Sequence, residues 1–219
     1  RLYYFTGGVY RAEGSKYLET RVKALLLSRN QGWTQHRSRE VVEFIRVDAP
    51  TLWERPPRDT VNVKNGLLDV NTRAVTEHSP KFLSPVQVPV TFDSQADCPA
   101  WEQMVETTFP DDAQELPWEI AAWMMTPDTS IQKAVLLLGE GSNGKSTFLQ
   151  GILSFIGKEN VVTLSLQRRE KERFAACRLV GKLANICPDL PSVHLSDTSL
   201  FKAITGGDSI SAEYKHRDG

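Results

Sequence analysis

Residues Gly139-Glu140-Gly141-Ser142-Asn143-Gly144-Lys145-Ser146, with Thr147 behind them, carry in full the spacing of a phosphate-cradling P-loop. Glycines at these positions let backbone N–H groups close around phosphate oxygens. Lys145 would set a point charge on the β- and γ-phosphates, and Ser146 would offer its hydroxyl to Mg²⁺. The chemistry is therefore binding of a nucleotide with Mg²⁺. A plain glycine-rich turn between a strand and a helix is the competing reading. The strand, the spacing, the Lys-Ser pair and the helix agree against it.

Such a loop must be aimed by a strand and followed by a helix whose N-terminus faces the anion. The apolar run Ala134-Val135-Leu136-Leu137-Leu138 predicts that buried strand, and Phe148, Leu149, Ile152, Leu153 and Phe155 predict the apolar face of the helix. Further on, Leu183–Cys187 reads as another strand leading into Pro188-Asp189, about 44 residues after Lys145. In a parallel sheet that strand end opens on the crevice of the P-loop. Asp189 is then the candidate partner of the Mg²⁺ through water, against the plainer reading of a solvated turn aspartate. Lys145 and Asp189 are the residues on which catalysis would rest. A P-loop alone does not separate kinases, GTPases and ATP-driven motors.

Around this site the chain divides into two halves. Residues 1–98 predict an α+β module: a strand at Leu2–Phe5 before Gly7-Gly8, helical spacing at Leu18, Val22, Leu25 and Leu26, and a further helix around Glu40–Val47. The sharpest local signal is Val61–Lys64, Asn65-Gly66 and Leu67–Val70, a hairpin with Asn-Gly at its turn. Residues 99–126 predict a helical segment: Trp101, Met104, Val105 and Thr108 on one helix, and Trp118, Ala121, Ala122 and Met125 as one stripe of the next, packed on the nucleotide domain. From 127 to 219 the pattern runs strand, P-loop, helix, strand (Val161–Leu166), helix (about Arg168–Cys177) and strand (Leu183–Cys187), the alternation of a parallel-sheet α/β fold. The mixed charges of 168–173 read as a solvated face, with a subunit interface or a DNA patch as the alternatives.

Twenty-six basic against 27 acidic residues leave a formal charge of −1, which excludes binding driven by bulk positive charge. Cys98, Cys177 and Cys187 form no Cys-x-x-Cys pair, a usage that suits the reduced thiols of a cytoplasm. Cys187, Asp189 and His194 as metal ligands are the weaker reading beside a buried thiol and an exposed histidine. No stretch has the length and apolarity of a membrane span or signal peptide. The opening on Arg1 and the end at Gly219 lead us to expect a piece of a longer protein.

Five separated pieces occur in the order found in one family. They are Asn65-Gly66-Leu67-Leu68-Asp69; Asp93, Ala96, Cys98-Pro99 and Trp101; Gly139–Thr147; Arg173-Phe174 with Leu179 and Gly181-Lys182-Leu183; and Phe201-Lys202 with Thr205-Gly206-Gly207-Asp208. Across most of its length the chain resembles the helicase portion of phage and plasmid primase-helicases, similar to the poxvirus primase-helicase, within superfamily three of the AAA+ motors. The resemblance implies an AAA+ type P-loop core, incomplete at its C-terminus and preceded by the smaller accessory module. It also implies a hexameric ring that hydrolyses ATP between subunits and moves along single-stranded DNA during replication. In such helicases a hairpin after Gly-Gly-Asp reaches into the pore, which here would bring Lys215 and His216 to the DNA. Two departures stand out: Asp189 lacks the paired acid the family commonly shows, and the family's sensor asparagine and arginine finger would lie beyond Gly219. Weak hydrolysis by this chain alone is the expectation. The rivals are a P-loop phosphotransferase and a non-catalytic, nucleotide-dependent module that binds DNA or a partner.

Overall fold

The structure is a computed structural model that describes residues 1–164, 177–187 and 199–207. Its first part is built on two small antiparallel sheets. β1 (Tyr4–Thr6) and β2 (Val9–Arg11) form a hairpin across Gly7-Gly8. Helices α1 (Gly14–Ser28) and α2 (Gln35–Asp48) follow as an antiparallel pair, with Thr34 capping α2 by accepting the Arg37 N–H. A capping threonine at that place starts α2 five residues earlier than apolar spacing alone predicts.

β3 (Thr60–Val63), β4 (Gly66–Asp69) and β5 (Val75–Thr76) make the second sheet in sequence order. The predicted hairpin forms, but its turn is Lys64-Asn65, because Val63 pairs with Gly66. The expected role of Asn65-Gly66 is corrected accordingly. Asn65 takes up no positive φ; its side chain accepts from the Phe92 N–H and donates to the Phe92 carbonyl, both at 3.0 Å. Gly66 is a glycine because a Cβ there would stand 2.3 Å from the Thr76 carbonyl oxygen on β5. Val61, Val63, Leu68 and Val88 close the core under this sheet.

Polar groups around that core are paired. Asn62 is buried and donates to the Gly8 carbonyl at 2.9 Å; Gln87 donates to the Gly7 carbonyl and to Asn62 Oδ1. The turn of the first hairpin is thus tied to the middle of β3.

α3 (Pro99–Thr108), a 3-10 turn and α4 (Leu116–Trp123) lead to the loop, and α5 (Lys145–Ile156) leaves it. β6 (Val161–Val162) and β7 (Ala184–Asn185) pair in parallel, Val161 with Ala184 and Val162 with Asn185. α6 (Ser199–Gly206) ends where Gln132 donates to the Gly206 carbonyl. α3 and α4 do pack on the helix behind the P-loop, through Trp101, Met104, Ile120, Ala121 and Met124 against Phe148, Ile152 and Ile156. The stripe is rotated from the predicted one: Pro117 and Ile120 are the buried positions of α4, whereas Trp118 stays 44% exposed with its ring edge on Trp101.

One expectation for the second part fails outright. Ala134–Leu138 is not a strand and is mostly unburied: it pairs with no described neighbour, only Leu137 packs on the core, and Leu138 is 82% exposed. A strand exists only through its ladder, and the described residues supply no partner beside it. Of the strand expected at Val161–Leu166 the first two residues are paired. The helix expected at Arg168–Cys177 lies outside the described residues except for Cys177.

Candidate nucleotide-binding site

The loop that would hold phosphate is a run of unusual backbone. Gly141, Ser142 and Gly144 have φ of 96°, 48° and 82°, and α5 begins directly behind them. Gly144 is required twice over, since a Cβ in its place would also meet Thr108 at 2.6 Å. Ser142 carries a side chain in the left-handed region, which costs of order 1–3 kcal/mol and is kept where the surroundings over-determine the backbone. The first N–H groups of α5 have no intrahelical acceptor, and the positive end of the helix dipole lies at Lys145–Thr147.

Lys145 is half-buried, and its Nζ donates to the Gly139 carbonyl at 2.9 Å and to Asn143 Oδ1 at 2.6 Å. Both acceptors are neutral. No described carboxylate pairs with this ammonium, so its charge stands uncancelled at the mouth of the loop. Ser146 and Thr147 are exposed beside it.

The loop is held from behind by aromatic packing. Phe148 is sealed between the rings of Trp101 and Phe109, whose centroids lie 5.6 and 5.4 Å away. Gly151 lets Trp101 approach so closely that a Cβ would fall 2.6 Å from its ring. The C-terminal end of α3 thereby fixes both the helix, through Phe109, and the loop, through Thr108. Sequence reading missed Thr108 and Phe109 as parts of the site, because nothing local in 101–109 records a contact made across almost forty residues. Asn143 belongs to the predicted nucleotide-binding run; the hydrogen bond it accepts from Lys145 has no sequence signal beyond its place in the pattern.

A cleft of about 1370 Å³ opens beside the loop and is lined by Lys145 and Ser146 on one wall and by Ala184, Asn185 and Cys187 on another. It is larger than the roughly 300–1,000 Å³ usual for a small-molecule site. Residues at the end of β7 and of the phosphate loop thus line the same cleft. Asp189 itself lies outside the described residues, as do His194, Lys215 and His216. Among the described residues there is no cluster of three or more His, Cys, Asp or Glu side chains arranged to hold a metal ion, and no helix is long and apolar enough to cross a membrane.

Two family models match the chain. Residues 30–110, from just before α2 through the end of α3, match the model described as D5 N terminal like. That match is consistent with the primase-helicase resemblance of the motifs. Residues 137–219, which hold the phosphate loop, match a family of unknown function, DUF5906. No activity comes with that second match.

Proposed function

We propose that this chain is the nucleotide-binding part of a primase-helicase-like replication protein, an ATP-dependent DNA helicase of phage or plasmid type. The observation that carries the reading is the loop: positive-φ positions at Gly141, Ser142 and Gly144 feed α5, and a lysine with no described acidic partner stands at its start. That donor set suits a polyphosphate, because an anion gains helix N–H groups, the dipole and an ammonium together. Gly139–Thr147 would hold ATP, and Ser146 with Asp189 would hold Mg²⁺. When bound, Mg²⁺ neutralises phosphate charge; Lys145 orients the same phosphates and the α3 aromatics keep the loop in place. Single-stranded DNA is the proposed second ligand, contacted by Lys215 and His216, and the D5 N terminal like match supports a place in replication. The proposed frame is an AAA+ type parallel sheet, a reading that the parallel pairing of β6 with β7 supports.

Isothermal titration of ATP with Mg²⁺ tests the site. Lys145→Ala should lower affinity by roughly 10- to 100-fold, the equivalent of about 1.5–3 kcal/mol for a hydrogen bond to a charged group, with an unchanged melting curve. Equal affinities would place the nucleotide elsewhere. Turnover separates the classes: a motor releases phosphate faster with single-stranded DNA, and a phosphotransferase passes it to an acceptor.

A further inference from the structure

Away from the phosphate loop, three stretches remote in sequence meet around a small pocket of about 150 Å³: residues 55–58, the turn 126–132 and Gly206-Gly207 at the end of α6. Small-molecule sites usually hold roughly 300–1,000 Å³, so this one has room for a chemical group rather than for a whole ligand. Specific bonds build it. Arg58 Nη2 lies 3.2 Å from Asp128 Oδ1, the Trp123 indole N–H donates to the Asp128 carbonyl at 3.1 Å, and Gln132 donates to the Gly206 carbonyl at 3.0 Å. The turn is thus tied to the first part of the chain, to α4 and to α6.

The charges that line the pocket do not cancel. Arg55 and Arg58 stand against one carboxylate, Asp128, and that carboxylate is already occupied: Ser130 gives its N–H to Oδ1 at 2.9 Å and its hydroxyl to Oδ2 at 2.8 Å. The Ser130 N–H is the main reason the Asp128 carboxyl is held below its ordinary 3.8, and attraction to Arg58 and Arg55 adds to it. Asp128 therefore stays ionised at neutral pH and holds Arg58. Arg55 stands apart. Its exposed guanidinium makes no hydrogen bond or ion pair with a described residue, and neither does the Thr129 hydroxyl, another group of the lining.

We infer that this pocket is a second anion site, separate from the phosphate loop, and that it takes a single phosphate group. A guanidinium presents its N–H donors in a planar fork that matches phosphate oxygens in pairs. Arg58 uses one nitrogen on Asp128 and Arg55 uses none. A tetrahedral oxyanion has acceptor directions enough for both arginines and the Thr129 hydroxyl at once, whereas a carboxylate offers two oxygens in one plane. Arg55 and Thr126–Thr129 also line the large cleft that contains Lys145, so the phosphate can be free or can belong to a ligand that reaches in from the cleft. The inference goes beyond the nucleotide reading and does not depend on it.

Titration of the 219-residue chain with orthophosphate, followed by ³¹P NMR, tests it. Lys145→Ala is present throughout, so that binding at the phosphate loop is weakened. In that background Arg55→Gln should lower phosphate affinity at least roughly tenfold, the scale of a hydrogen bond to a charged group. Arg55 carries no described bond, so the melting curve should not move. Arg58→Gln should weaken binding too, because Asp128 then loses its cation and repels the anion. Arg39→Gln, an exposed arginine of α2, controls for net charge and should change nothing. Acetate at equal concentration should not displace the phosphate. AMP separates the two sources: displacement at a lower concentration than orthophosphate needs means a phosphate carried on a ligand seated in the cleft, and an equal or higher concentration means free phosphate. Absence of binding, binding that survives Arg55→Gln, equal weakening by Arg39→Gln or displacement by acetate would each overturn the proposal. Should ATP with Mg²⁺ fail to bind the wild type while orthophosphate still binds through Arg55, the nucleotide reading falls and this one stands.

Discussion

Val61 and Val63 on β3 and Val88 beside them are all but sealed from solvent, whereas Val135, Leu136 and Leu138, side chains of the same kind before the phosphate loop, are exposed. Composition does not separate the two runs; neighbours do. β3 has β4 on one side and the Val88 bridge on the other, and the hairpin that brings β4 needs only a two-residue turn. Ala134–Leu138 has no sequence neighbour able to fold back on it, so its ladder depends on distant chain. Local pairing is inexpensive in loop-closure entropy and distant pairing is not. The ladder of the sheet module is thus made by adjacent sequence, although Met125 and Leu183 also pack against its core, and the loop region relies on α3 and α4 arriving from behind.

That contrast is broken hardest at Phe148. The run before the phosphate loop has no described ladder, and the helix behind the loop is held by the sandwich of Trp101, Phe148 and Phe109 together with Val161, Ala184 and Ile186 around β6 and β7. Phe148→Ala should therefore destabilise the chain by about 3–5 kcal/mol, read from the urea midpoint, and should weaken nucleotide binding along with it. A loss below roughly 1 kcal/mol would mean that the loop is stabilised by something other than this packing.

The sheet module should give way more gently. Asn62 links β3 to the first hairpin through Gly8 and Gln87, and Asn62→Ala leaves the half-buried Gly8 carbonyl and the Gln87 amide short of a partner. A cost of about 1–3 kcal/mol is expected from urea unfolding, with nucleotide affinity unchanged. Were the affinity to fall with the stability, the two regions would be one cooperative unit at the site and the contrast would fail.

How much of this was legible in the sequence follows the same division. The P-loop, the β3–β4 hairpin and the helices at α3, α4 and α5 were readable because each is written in adjacent residues: a motif, a turn, an apolar period. The hidden parts are those decided from afar. The turn moved to Lys64-Asn65 because Phe92 captures the Asn65 side chain. The α4 stripe turned toward Ile120 because Phe148 and Trp101 sit there. Thr108 entered the site through a contact with Gly144 that no local pattern encodes. The strand predicted at Ala134–Leu138 was read from apolarity, which records what a segment would bury and says nothing of whether a partner is present.

Leu138 sharpens that last point with a small effect. At 82% exposure it gains little from folding, so Leu138→Ser should change the urea midpoint by no more than about 0.5 kcal/mol equivalent. The matching change in the sealed strand, Val63→Ser, should cost several times more. A large loss at Leu138 would show that the run is buried in solution.

The smallest expected effect lies in the turn after β4. Asp69 Oδ1 accepts the N–H groups of Asn71 and Thr72 at 2.9 and 2.8 Å. The Thr72 N–H bond is the main reason its carboxyl is held below the ordinary 3.8. A carboxyl lowered in the folded state favours folding above its unfolded value, and that contribution disappears as pH falls through the folded one. Wild type should thus lose this contribution as pH falls from above the ordinary 3.8 through the lower folded value. Asp69→Asn keeps a neutral acceptor and has no proton to take up, so its acid limb should be shallower. The two stability curves, measured by urea unfolding at a series of pH values, should differ slightly near neutrality and converge in acid. A gap that stays constant with pH would mean that the charge of Asp69 does nothing for this turn and that its shape alone holds the chain.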